Sequence, residues 1–194
     1  MTEITLEKLS FVRDEIRKIL KPKRYEHTLS VAYTAACLGM LYGENPLRCE
    51  LAGLLHDCAK NMTDQELFLA CENAGIALTD EEKAIPAVLH GIYGAYLAER
   101  QYLVDDQDIL NAIRFHTTGR AEMSMLEKII YIADFIEPFR DQAACLAEAR
   151  KLAFTDIDRC MYMILVNIIE YLSVNDQPVE SHTILSYNYF KAIL

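Results

Sequence analysis

Four of the chain's five histidines, His27, His56, His90 and His116, fall in separate helix-forming stretches or at their ends. His56 is followed at once by Asp57 in Leu-Leu-His-Asp-Cys-Ala-Lys. A second carboxylate, Asp134, interrupts Ile-Ile-Tyr-Ile-Ala-Asp-Phe-Ile. An ionised carboxylate inside an apolar helix is costly to bury unless a cation or several donors compensate it. A metal ion is such a compensator, and neutral imidazoles complete its coordination shell. Adjacent helical residues point about 100° apart, so His56 and Asp57 can both reach one ion. Lys60 lies one turn on from both, and Arg24 one turn before His27.

Each residue taken singly has a plainer explanation. His90, in Val-Leu-His-Gly, fits an ordinary core or surface histidine, and His116 near a helix end fits an interaction with the helix dipole. Asp134 alone fits a cap or an arginine pair, and Lys60 a solvated charge. The order His…His-Asp…His…His…Asp joins these separate oddities under one explanation. His182, in Glu-Ser-His-Thr, has no such companion and reads as an ordinary side chain.

The elements that must position this set read as helices almost throughout. Leu6, Leu9, Val12, Ile16, Ile19 and Leu20 recur at three- and four-residue steps, predicting an amphipathic first helix that stops before Lys21-Pro22. Further helices are expected from about Arg24 to Tyr42, Leu47 to Ala59 and Pro86 to Gln101. Others are expected from Asp106 to Phe115, from Ser124 to about Ile136, and over 143–153, 155–174 and 185–194. Thr63…Glu66 and Thr79…Glu82 are capping boxes that mark two more starts, with Gly75 a C-cap between them. There is no repeat, low-complexity segment or linker. The expectation is one all-α domain, a single helical bundle over 1–194, with the chemistry within about 21–140 and the helices of 143–194 completing the fold.

Bulk properties agree. At 194 residues with 52% hydrophobic content, the chain is long enough for one sizeable core. Seven glycines and five prolines leave few residues for the turns of a sheet sandwich. The formal net charge of −10 disfavours nucleic acid polymers and anionic membranes. A small anionic substrate then needs local positive charge. Six cysteines without a CxxC pair read as small hydrophobes in a reducing compartment. With no signal peptide and no span of 18 apolar residues, a cytoplasmic protein is expected. The oligomeric state is open.

The set His27, His56-Asp57 and Asp134 resembles the H…HD…D signature of the HD superfamily of metal-dependent phosphohydrolases. Within it, the chain resembles the YqeK family. The matching strings are Arg24-Tyr-Glu-His27-Thr28, His56-Asp57-Cys-Ala-Lys60, His90-Gly91, His116-Thr117-Thr118-Gly119 and Ala133-Asp134-Phe-Ile-Glu137-Pro138-Phe-Arg140. The resemblance spans about Lys21 to Asn188, loosely over Thr183–Asn188. It implies a symmetrical bis(5′-nucleosyl)-tetraphosphatase that splits diadenosine tetraphosphate into two ADP with one or two iron ions, manganese or another divalent metal being the variants. By position, it implies that His27, His56, Asp57 and Asp134 hold a first ion. His90 and His116, with Asp57 bridging, would hold a second or face the phosphates. Arg24, Lys60, Thr117 and Arg140 would contact phosphate.

Two divalent ions against two carboxylates leave roughly +2 at the site, before Arg24, Lys60 and Arg140 are counted. A divalent ion lowers the pKa of its water from about 15.7 to about 7, and a second ion or Lys60 would stabilise the leaving oxygen. Asp57, Lys60, His90 and His116 are therefore the catalytic candidates. There is no Ser-His-Asp arrangement, GxGxxG or P-loop string to support another chemistry. The competing readings are another HD nucleotide phosphohydrolase, such as a 5′-nucleotidase or a guanosine-polyphosphate hydrolase, and a nucleotide-binding regulator that turns nothing over.

Overall fold

Thr5 opens the first helix, α1 (Leu6–Ile19), by accepting the Lys8 N–H, and the helix buries Leu9, Val12 and Ile16. The computed structural model describes residues 3–194. Leu20 is extended, and α2 (Pro22–Tyr42) then begins two residues earlier than the pattern of apolar positions predicts. Proline suits the first helical turn because its missing N–H would have no partner there anyway. Gly43, left-handed, ends α2. α3 (Pro46–Leu55) follows from an Asn45 cap. Both expected capping boxes are formed, opening α4 (Asp64–Asn73) and α5 (Asp80–Ala84).

A single 3₁₀ turn at Pro86–Val88 leads into α6 (Leu89–Arg100), where one continuous helix was expected. Next come α7 (Gln107–Arg114), α8 (Met125–Ile136), α9 (Leu146–Leu152), α10 (Ile157–Val174) and α11 (Ser181–Ile193). The all-α expectation holds: no strand occurs among the described residues, and no helix is long and apolar enough to cross a membrane. α11 starts four residues before the expected Leu185. The Glu180 carboxylate accepts the His182 N–H, and Glu81 of α5 accepts the Ser181 N–H at 2.9 Å.

α3 differs in a way that matters for the site. It stops at Leu55, not Ala59, and residues 56–62 turn through short-range bonds such as Lys60 N–H to Asp57 O. The His56 ring donates from Nδ1 to Gly53 O at 2.7 Å, competing for the carbonyl that an unbroken helix would offer to the Asp57 N–H. His116 repeats the device, with Nδ1 on Ile113 O at 2.7 Å just past the end of α7. Two candidate ligands thus end their own helices.

α8 is the central element. Ile129 to Ala133 are all buried, as befits a helix packed on every side by α2, α3, α7 and α10. One apolar core runs from Leu9 of α1 to Phe190 of α11, and a smaller one lies beneath α4 and α6. Two glycines set the spacing around it. A Cβ at Gly53 would meet the Ala32 Cα at 2.6 Å, so α3 lies against α2 at backbone distance. A Cβ at Gly91 would meet Arg114 O at 2.8 Å, which fixes α6 against α7 in the same manner.

Candidate active site

Those two close approaches bring six polar side chains to one point. α2 supplies His27, the turn after α3 supplies His56 and Asp57, and α8 supplies Asp134. α6 supplies His90, and the residues after α7 supply His116. Asp57, 3% exposed, stands in the middle. Its Oδ2 faces His56 Nε2 at 3.4 Å and His27 Nε2 at 3.8 Å. Its Oδ1 faces His90 Nε2 at 3.4 Å and His116 Nε2 at 3.7 Å. Each carboxylate oxygen therefore serves a different histidine pair. Asp134 Oδ1 lies 3.1 Å from His27 Nε2 and 4.0 Å from His56 Nε2, closing the first group.

The tautomers follow from the partners. A carbonyl only accepts, so His56 and His116 each carry a proton on Nδ1, which leaves Nε2 as the inward atom able to ligate. His27 Nδ1 lies 3.3 Å from Glu137 Oε1, which sets the same orientation. The inward atoms lack partners: His27 Nε2 and His56 Nε2 are buried without a hydrogen bond. His90 Nε2 and His116 Nε2 approach to 3.1 Å. Two nitrogens about 2.0–2.1 Å from one ion stand about 3 Å apart, so this spacing suits shared ligation. Ligand atoms of His27, His56 and Asp134, and of His56, Asp57 and His116, each lie within 4.8 Å of one another. The donor chemistry and the orphaned nitrogens both fit a divalent ion.

Electrostatics agree with that fit. Burial alone would raise the Asp57 and Asp134 carboxyls, but the neighbouring imidazoles in their charged form, and Arg140 for Asp134, outweigh it and hold both well below the usual range. The two carboxylates in turn raise His56 against its burial, so that a proton stands where a cation would bind. Burial, then His116 and Lys60, hold His90 far below the ordinary histidine value, so its ring is neutral. Burial also lowers Lys60, against the pull of Asp57. It pushes the adjacent Cys58 thiol up to about 12, which leaves it protonated and unfit as a thiolate ligand.

Cations ring the mouth. Arg24 Nη1 donates to Asp57 Oδ2 at 2.8 Å, and Arg140 Nη2 to Asp134 Oδ1 at 2.8 Å. The Lys60 ammonium lies 3.2 and 3.3 Å from the two His90 ring nitrogens, although it follows a turn where a helix was expected. An open cleft of about 690 Å³ spreads from this mouth, and Lys21, Lys23, Arg24, Lys60 and Arg140 line it against three acidic side chains. The local excess of positive charge is the feature that an anionic substrate requires of so acidic a chain.

Thr117 follows His116 directly; its hydroxyl is buried without a hydrogen-bond partner, and the residue does not line the open cleft. His182 lies elsewhere, with Nδ1 2.8 Å from Glu180 and its ring against Phe115. Sequence reasoning missed two positioning residues. Glu137, 2% exposed, orients His27 and accepts the Phe139 N–H at 2.8 Å. A buried glutamate before proline was the available signal. Arg150 donates to the carbonyls of Ile136, Glu137 and Arg140 at 2.8–2.9 Å, holding the segment after α8. Nothing in its surface-helix pattern marked it.

Residues 24–138 match the HD domain family. A Bacillus subtilis protein described as "Bis(5'-nucleosyl)-tetraphosphatase, symmetrical" is 39% identical over 176 residues, covering 90% of this chain and 92% of that protein. A Halalkalibacterium halodurans protein of the same description is 38% identical over 180 residues, 91% of this chain and 95% of that one. A crystal structure from Clostridium acetobutylicum, described as a "predicted HD superfamily hydrolase involved in NAD metabolism", has a TM-score of 0.92 at 39% identity. It covers 95% of this chain and 97% of its own.

Proposed function

This chain belongs to the HD domain family, and from that membership and the geometry of the site we propose that it hydrolyses diadenosine tetraphosphate symmetrically to two ADP. The observation that carries the reading is Asp57, set between two histidine pairs beneath a cleft rich in cations. The relatives of near-equal length described as symmetrical tetraphosphatases support the choice of substrate.

His27, His56, Asp57 and Asp134 would hold a first divalent ion; His90 and His116, with Asp57, would hold another or face the phosphates. The donor set suits iron, which the family resemblance implies, and equally manganese. A divalent ion bound there supplies Lewis-acid activation of a water molecule. The chain's own groups do the rest. Arg24 and Arg140 grip the polyphosphate by charge-assisted hydrogen bonds. Lys60, beside His90, donates to the departing phosphate oxygen as its charge grows. One water adds to the second phosphorus of one end, the bond to the bridging oxygen breaks, and both products are ADP. Six free thiols support a cytoplasmic location.

Turnover in heavy-oxygen water tests the reading. ADP is expected as the sole nucleotide product, with one molecule of each pair labelled on its terminal phosphate. AMP plus ATP would mean attack at a different phosphorus and overturn the assignment. Free phosphate from AMP would favour the nucleotidase reading, and no product at all would favour the regulator.

A further inference from the structure

Beside the cleft runs a second open groove of about 580 Å³, and Arg140 and Gln142 line both. One wall is a face of α10, where Asn167, Ile168, Tyr171 and Val174 recur at helical spacing. The other is Phe135 of α8 and the segment leading into α9. The groove differs from the cleft in charge: Arg140 is its one cation, and Glu170 its one acid. It suits an uncharged ring with hydrogen-bonding edges and not a phosphate. It also exposes apolar surface at some cost, since Tyr171 is 63% and Val174 84% exposed. The cleft carries an exposed aromatic of its own, Phe139 at 74%. Each depression therefore has an exposed aromatic, and Arg140 lines both, an arrangement that suits a base at either end of a polyphosphate.

We propose that this groove is the subsite for the second nucleoside of a dinucleoside polyphosphate, with its base stacked on Tyr171 and its edge read by Asn167. The inference rests on the proposed function and deepens it. Arg140 anchors the phosphate chain where it passes from one depression to the other. Arg150, through its three carbonyl contacts, keeps the wall between them in place. Asn167 is half-buried on α10 and lines the groove. The volume lies within the range usual for small-molecule sites, about 300–1,000 Å³.

The test compares two substrates that share the bond between the second and third phosphates: diadenosine tetraphosphate, and adenosine 5′-tetraphosphate, which lacks the distal nucleoside. The full-length, metal-loaded enzyme is expected to favour the former in kcat/KM by about ten-fold or more, the usual effect of one stacked base. Tyr171→Ala should bring that ratio close to one, and Tyr171→Phe, which keeps the aromatic face, should retain it. Tyr171 is exposed, so neither variant is expected to disturb folding, and matched melting curves check this. A ratio left unchanged in Tyr171→Ala overturns the subsite. So does a concentration-dependent dimer that Tyr171→Ala dissolves without altering the ratio, since the groove would then be a contact between copies. A wild-type enzyme that makes no ADP from diadenosine tetraphosphate removes the proposed function as well, a result distinct from loss of the subsite alone.

Discussion

Glu127 and Asp57 are both buried acids, 0% and 3% exposed, yet their surroundings are opposite in kind. Glu127 receives Arg120 twice, at 2.6 and 2.7 Å, and the Ser124 N–H at 2.7 Å. It completes the capping box of α8, and its lone pairs face donors. Asp57 receives one guanidinium, and around it four imidazole nitrogens converge, of which His27 Nε2 and His56 Nε2 have no hydrogen-bond partner. The first cluster is closed by the protein alone. The second presents donor atoms that a cation would complete. Burial of charge does not mark a functional site; burial of charge with inward lone pairs does.

Removing the central acid of each cluster separates the two. Asp57→Ala should abolish bound metal, by elemental analysis, together with turnover. Wild-type metal content in that variant would end the assignment of Asp57 as a ligand. Glu127→Ala should do the reverse: metal per folded molecule is retained, while stability falls by about 1–3 kcal/mol, because α8 loses its capping box and the partly exposed Arg120 its partner. Denaturant unfolding measures this, and a loss below about 1 kcal/mol would remove the contrast.

A third, milder case tests whether a closed pair behaves as such under acid. Asp106 accepts from Arg48 at 2.8 and 3.1 Å and caps α7. Burial alone would raise its carboxyl, but Arg48 outweighs burial and holds it below the usual range. A lowered folded value means that the pair contributes fully above about pH 4 and that the contribution fades as pH falls through the folded value. Asp106→Asn keeps a good cap and loses the charge. It should cost about 1–2 kcal/mol at pH 7 in thermal unfolding, with the gap narrowing below about pH 4. A gap that stays constant to pH 3 would assign the loss to something other than the ion pair.

The clustering of the candidate ligands was legible in the sequence because each is chemically out of place: an acid inside Ile-Ile-Tyr-Ile-Ala-Asp, a histidine after Leu-Leu. The span of α8 was legible from Ser124 and Pro138 at its ends. The end of α3 was not. Cys58 and Ala59 continue the apolar pattern, no glycine or proline intervenes, and the stop comes from a side chain, His56, competing for a backbone carbonyl. The start of α11 was hidden for a related reason. Its cap is Glu180 with help from Glu81, a hundred residues distant in sequence from the Ser181 it binds. Glu137 and Arg150 act through orientation, and orientation leaves no periodic trace. The division into cleft and groove arises where α8, α9 and α10 meet, so no local stretch encodes it.

Gly53 and Gly91 bear on any attempt to transplant this centre. Helices in ordinary packing stand about 8–10 Å apart, with side chains filling the gap. Here α3 meets α2, and α6 meets α7, at points where a single methyl group would strike main-chain atoms at 2.6 and 2.8 Å. A designed bundle that copied the four histidines and two aspartates onto standard spacing would hold them too far apart for one cluster. The portable unit is eight residues, and two of them contribute by having no side chain.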